Sequence, residues 1–147
     1  MDISRILVPT DFTEHASHAL HAAHSLATRF GAKVTLLHVY QVPAYALPEG
    51  VIFATAEVLS DLHSQLSERL KQTAAKYFPD IDVETKLRSG GAAEEIVAEA
   101  EECGANLLVI ATHGRSGLSH LLIGSVAERV VRLSPAPVLT LRPPRDE

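Results

Sequence analysis

The chain has 147 residues, enough for one domain with a full core and too few for two. Apolar residues make up 46% and the net charge is −5; this composition argues against disorder and offers no general attraction to nucleic acid or anionic membranes. The single cysteine, Cys103, excludes an internal disulfide framework and Cys-x-x-Cys zinc clusters, and the lack of a signal-peptide pattern or long apolar run makes the reducing cytoplasm, with no membrane partner, the expected setting.

Ile3 to Val8 reads as a short apolar strand broken by Pro9-Thr10-Asp11. Asp11 or Thr13 can cap the helix that follows. In that helix Ala16, Ala19, Leu20, Ala23, Leu26, Ala27 and Phe30 recur at steps of three and four, forming one apolar face that Gly31 closes. Val34 to Val39 is a second apolar strand. Tyr40 to Thr55 reads as irregular, with Pro43, Pro48 and Gly50 as breakers.

The spacing of Leu59, Leu62, Leu66, Leu70 and Ala74 predicts a helix from about Ala56 to Tyr77, ended by Pro79. Ile81 to Leu87 alternates as an edge strand does. Gly90-Gly91 turns into a third helix with Ala93, Ile96, Val97 and Ala100 inward. Leu107 to Ile110 is a fully apolar strand, followed by the loop Ala111 to Gly117. A fourth helix starts near Leu118 or Gly124 and reaches Leu133. Pro135-Ala136-Pro137 precedes a last strand, Val138 to Leu141, and Pro143 to Glu147 reads as a loose tail. Strands alternating with helices imply an α/β domain with a mostly parallel sheet covered on both faces.

In such a sheet, ligands sit beyond the carboxyl ends of the strands, where strand order reverses. Two polar loops leave strand ends here: Pro9-Thr10-Asp11, and Ala111-Thr112-His113-Gly114-Arg115-Ser116-Gly117, which leads on to Gly124-Ser125. Small residues let backbone N–H groups approach phosphate oxygens, and a helix start adds partial positive charge. Ser125 adds a hydroxyl and Arg115 a charge-assisted contact. On residue types alone, turn-forming glycines explain the segment about as well. It is neither a Walker A sequence nor a Gly-x-Gly-x-x-Gly fingerprint.

Val8-Pro9-Thr10-Asp11-Phe12, Leu36-Leu37-His38-Val39, the 111–117 loop, Gly124-Ser125-Val126-Ala127-Glu128 and Pro135-Ala136-Pro137-Val138-Leu139 together resemble the universal stress protein family, UspA-like, over essentially the whole chain. The resemblance implies one domain over 1–147 with a Rossmann-like, adenine nucleotide alpha hydrolase-like fold. It implies a five-stranded, mostly parallel sheet of order 3-2-1-4-5 with four helices on its two faces. ATP-binding members carry Gly-x-x-Gly, nine residues, then Gly-Ser or Gly-Thr. Laid on this chain, the later glycines fall on Gly114 and Gly124 and the serine on Ser125. The first falls on Ala111, where the chain departs. Alanine there costs affinity if the position needs positive φ or very close approach, and little in ordinary strand geometry.

By the same resemblance, Asp11 accepts hydrogen bonds from ribose hydroxyls and the Val39 backbone reads the adenine edge. Pro9 and Thr10 line that pocket, and Gly114, Arg115, Gly124, Ser125 and Val126 hold the phosphates, with Thr112 and His113 beside them. The implied ligand is ATP, with magnesium, or AMP or cyclic AMP instead. The implied protein is a nucleotide-dependent homodimeric stress-response module joined through Val138 to Leu141, with slow ATP hydrolysis at most and no catalytic set. The alternative is an interaction protein without ATP, or with another ligand such as cyclic AMP.

Other candidates carry less. His15, His18, His21 and His24 step by three and so spiral around a helix instead of sharing one side, which favours a solvated face over a metal site. His38 is expected to hydrogen-bond in the core. Cys103 has no basic neighbour in sequence and reads as a buried, inert thiol. Glu94-Glu95 and Glu101-Glu102 read as solvated helix surface.

Overall fold

The computed structural model describes residues 1–113 and 122–144. Gly114, Arg115 and the possible helix start at Leu118 lie outside the described residues, as does the end of the tail, 145–147.

Eleven elements are assigned among the described residues: β1 (Arg5–Pro9), α1 (Glu14–Phe30), β2 (Lys33–Tyr40), β3 (Ala44–Leu47), β4 (Gly50–Phe53), α2 (Ala56–Tyr77), β5 (Val83–Ser89), α3 (Ala92–Glu102), β6 (Leu107–Ala111), α4 (Ser125–Leu133) and β7 (Val138–Leu141). The main sheet has the order β5-β2-β1-β6-β7, and its paired strands are all parallel. Setting aside the small hairpin of β3 and β4, this is the expected order 3-2-1-4-5. The chain is an α/β protein of the Rossmann-like kind.

Alternation along the strands builds two cores. Ile6 and Val8 of β1 pack on one face with Ala19, Leu20, Ala23 and Ala27 of α1 and Leu70 of α2. Leu7 faces the other way and joins Ala93, Ile96 and Ala100 of α3 and Ala127 and Val130 of α4. Each fully buried large aliphatic side chain contributes about 1.5–3 kcal/mol, so the five-residue strand β1, with Ile6, Leu7 and Val8 fully buried, anchors both layers.

α1 starts at Thr13, whose side chain accepts from the Ala16 N–H, and ends on Gly31 in left-handed geometry. That settles the choice of cap: Asp11 lies outside the helix and braces Thr13 instead. Phe30, expected on the inner face, is 49% exposed. It is the last residue of α1.

The segment expected to be irregular contains an antiparallel hairpin, β3 with β4, pairing Tyr45 with Ile52 and Ala46 with Val51. Pro48, read as a breaker, forms its turn with Glu49, and Gly50, the other breaker, opens β4 with positive φ. Every residue of both strands is exposed. The histidines of α1 also depart from a purely outward reading. The His21 ring meets Tyr77 edge-on, and His24 Nε2 donates to Asp80 at 2.7 Å, a contact that lowers the carboxyl pKa of Asp80. α1 and α2 lie side by side, and this brings their polar edges together. No helix among the described residues is long and apolar enough to cross a membrane.

Candidate functional site

The strand order reverses between β1 and β6, and a pocket of ≈ 390 Å³ opens beyond their carboxyl ends. Pro9, Thr10 and Asp11 line it from the end of β1, and Val39 from the end of β2. Ala111, Thr112 and His113 line it from the end of β6, and Gly124, Ser125 and Val126 from the start of α4. These are ten of the twelve positions marked in the sequence; the other two, Gly114 and Arg115, lie outside the described residues.

Each wall is held by backbone bonds that extend the sheet. The Thr10 N–H donates to the Leu37 carbonyl at 2.8 Å, and the Thr112 N–H to that of Leu141 at 2.9 Å. Gly124 then donates to the Thr112 carbonyl at 2.7 Å, tying the start of α4 to the end of β6. A Cβ on Gly124 would stand 2.9 Å from that same oxygen. Glycine is therefore required for close approach, since its φ of −60° suits any residue. Gly124 caps α4 without a side-chain hydrogen bond, and Ser125, Val126 and Ala127 of the first turn line the pocket, where a helix start carries partial positive charge.

Ala111 closes β6, paired with Leu141, and Phe12 is the only described non-glycine residue with positive φ. Ala111 therefore sits in ordinary strand geometry, where its methyl carries no backbone penalty.

Asp11 Oδ1 accepts from the Thr13 N–H at 3.0 Å and from the Thr13 hydroxyl, which turns the carboxylate at the pocket's edge. His38 is buried, as expected, and its Nδ1 donates to the Thr10 carbonyl at 2.7 Å. His113 is also buried, with Nδ1 hydrogen-bonded to the Thr112 hydroxyl at 2.8 Å, and its ring centroid lies 6.4 Å from that of His15. Cys103 is buried away from the pocket at the end of α3, and burial pushes its thiol pKa up.

Sequence reasoning missed the apolar wall. Ala16, Ala92, Ile96, Ile110 and Ala127 complete the lining. Gly90-Gly91 before Ala92 was the available signal, because Gly90 takes the positive φ with which the chain turns from β5 into α3. The acidic pairs on α3 are also not simple solvated surface. Arg88 of β5 reaches Glu95 at 2.7 Å, Glu99 at 2.9 Å and Glu102 at 3.0 Å. Hydrogen bonds to Glu95, Glu102 and Glu99 hold its pKa above the ordinary guanidinium range. Glu94 pairs across to Arg129 of α4. These ion pairs fasten α3, and with it Ala92 and Ile96, to the rest of the pocket.

The site combines a slot with apolar walls, one carboxylate at its edge and a helix start at its floor. Such a slot accepts a flat apolar ring, a hydroxyl-bearing link and an anionic end. Residues 2–142 match the family model of the universal stress protein family. A universal stress protein of Methanocaldococcus jannaschii is 34% identical over 145 residues, covering 97% of this chain and 84% of its own. The solved structure of UspA from Lactobacillus plantarum superposes with a TM-score of 0.75 at 26% identity, covering 97% of this chain and 99% of that one. A universal stress protein solved in complex with cyclic AMP gives 0.62 at 25% identity, covering 97% and 98%.

Proposed function

The chain belongs to the universal stress protein family, and from that premise we propose that it binds ATP or a related adenine nucleotide in the pocket between β1, β2, β6 and α4. The observation that carries this reading is the convergence of Pro9–Asp11, Val39, Ala111–His113 and Gly124–Val126 on one slot of ≈ 390 Å³. Adenine enters between Val39 and the apolar residues of α3, and the Val39 backbone reads its edge. The Asp11 carboxylate accepts from the ribose hydroxyls, a pairing suited to a diol because an ionised carboxylate only accepts. The phosphates meet the first N–H groups of α4 and the Ser125 hydroxyl, with Gly114 and Arg115 as further phosphate contacts and magnesium accompanying ATP. The strand geometry of Ala111 supports retention of the ligand despite the missing glycine.

The protein acts as a nucleotide-dependent stress-response module in the cytoplasm, as a homodimer joined through β7. Hydrolysis is slow at most. Among the described lining residues no side chain is placed to activate a water while others stabilise a transferring phosphoryl group.

Cyclic AMP is the second ligand to test, because a relative with this fold was solved with it. Isothermal titration at about 100 μM protein detects binding down to roughly that dissociation constant. With ATP and magnesium, AMP and cyclic AMP titrated separately, heat from ATP or AMP supports the proposal. Heat from cyclic AMP alone moves the assignment to that ligand. No heat from any of the three refutes nucleotide binding.

A further inference from the structure

Phe12 stands beside the pocket in a backbone conformation that bulky residues rarely adopt, with φ of 63°. The turn around it is knitted on both sides. Its own N–H donates to the Thr10 hydroxyl at 3.1 Å, and the Thr13 N–H donates to Asp11 Oδ1 at 3.0 Å. The left-handed residue in between is what brings Thr13 back onto the Asp11 carboxylate.

The ring of Phe12 is clamped from two elements. The Arg69 guanidinium of α2 lies over it, 4.3 Å from the ring centre. The imidazole of His38 packs against it at 4.4 Å between centroids, tilted by 40°. His38 in turn holds the Thr10 carbonyl. The clamp therefore grips the turn at the ring of Phe12 and at the backbone of Thr10, and Asp11 is the residue between them.

The geometry points to Phe12 as a positioning residue: clamped between Arg69 and His38, it fixes the direction of the Asp11 carboxylate and so makes the pocket select ligands with a ribose 2′-hydroxyl over those without one. This rests on the reading of the pocket as an adenine-nucleotide site with Asp11 on the ribose. A residue needed only for folding would lower the affinity for both kinds of ligand alike. A residue that aims Asp11 lowers affinity more for the ligand that offers Asp11 both ribose hydroxyls than for the one that keeps only the 3′-hydroxyl.

The test is a paired titration of the full chain with ATP and 2′-deoxy-ATP, using the wild type, Asp11→Ala, Phe12→Ala, Phe12→Tyr and Arg69→Met. A hydrogen bond to a charged group supports a preference of about tenfold. The wild type is expected to prefer ATP by that factor, Asp11→Ala to lose the preference, and Phe12→Ala to lose it in the same way, with a smaller loss towards 2′-deoxy-ATP, which keeps the 3′-hydroxyl. Phe12→Tyr, which keeps the ring, restores the preference. Arg69 is exposed, so Arg69→Met keeps the fold if Phe12→Ala does not, and it is expected to lower the preference by several fold. If Asp11→Ala abolishes the preference while Phe12→Ala or, where that variant fails to fold, Arg69→Met leaves it intact, the positioning role is wrong and the nucleotide site stands. Equal wild-type affinity for the two ligands overturns the selectivity while leaving nucleotide binding in place. Binding of neither ligand removes the site reading itself, and this inference with it.

Discussion

At position 124 one hydrogen atom decides the geometry of the site. A Cβ there would press on the Thr112 carbonyl oxygen at 2.9 Å, and that oxygen belongs to backbone already bonded to the Gly124 N–H. The neighbour cannot swing aside as a flexible side chain would. Gly124→Ala is expected to destabilise the fold by about 1–3 kcal/mol through overpacking, read as a lower urea midpoint, and to weaken ATP binding in the same variant because α4 shifts off the end of β6. Phe12 shows the opposite balance. Its left-handed backbone costs about 1–2 kcal/mol. The ring contact and the cation–π contact each return about 0.5–1 kcal/mol, enough to hold it there. Ala111 needs neither device, since a strand residue tolerates a methyl. None of these three outcomes can be read from residue letters, because each depends on a φ angle or a distance of approach.

At the scale of elements, α3 is fixed by charge as much as by its apolar face. Arg88 gathers three glutamates from successive turns of the helix, and Glu99 among them has only 4% of its side chain exposed. Arg88→Met would leave that carboxylate buried without its partner, a change that costs about 3 kcal/mol in such settings. Chemical denaturation at neutral pH should show a loss of that order, whereas Lys86→Met on the same strand, whose partner Glu84 is 63% exposed, should shift stability by less than about 1 kcal/mol. The helices and main-sheet strands were legible in the sequence to within a few residues, because period-3.6 and period-2 patterns are local. The convergence on Arg88 was not legible. Glu95, Glu99 and Glu102 are spaced as one helix face, but only the docking of α3 on the sheet puts Arg88 opposite them. The β3–β4 hairpin escaped for a different reason: its prolines and glycine read as breakers, while the cross-strand pairing of Tyr45 with Ile52 has no signature along the chain.

For the whole molecule, β7 is an edge strand of the sheet, bonded to β6 alone among the described strands. An open apolar edge invites a second chain, and Leu139 on it is 39% exposed. The dimer proposed through this strand predicts that light scattering at micromolar concentration gives twice the monomer mass. Leu139→Lys should shift it to monomer with little change in the unfolding midpoint, because a charge on an open edge opposes pairing without disturbing β6. A wild-type protein that stays monomeric would remove β7 from consideration as an interface.

By itself the sequence determined the alternation of strands and helices, the two polar loops at strand ends and the family resemblance. All three are written in contiguous residues or short fixed spacings. Only the tertiary structure decided that Pro9, Val39, Ala92, Ala111 and Gly124 share one pocket, that Asp11 braces Thr13 instead of capping a helix, and that Ala111 sits in ordinary strand geometry. Those facts arise from strand order, helix docking and backbone angles. The pocket and the setting of Ala111 are settled by packing between segments tens of residues apart, and the Asp11 turn by its backbone angles, which no residue pattern records.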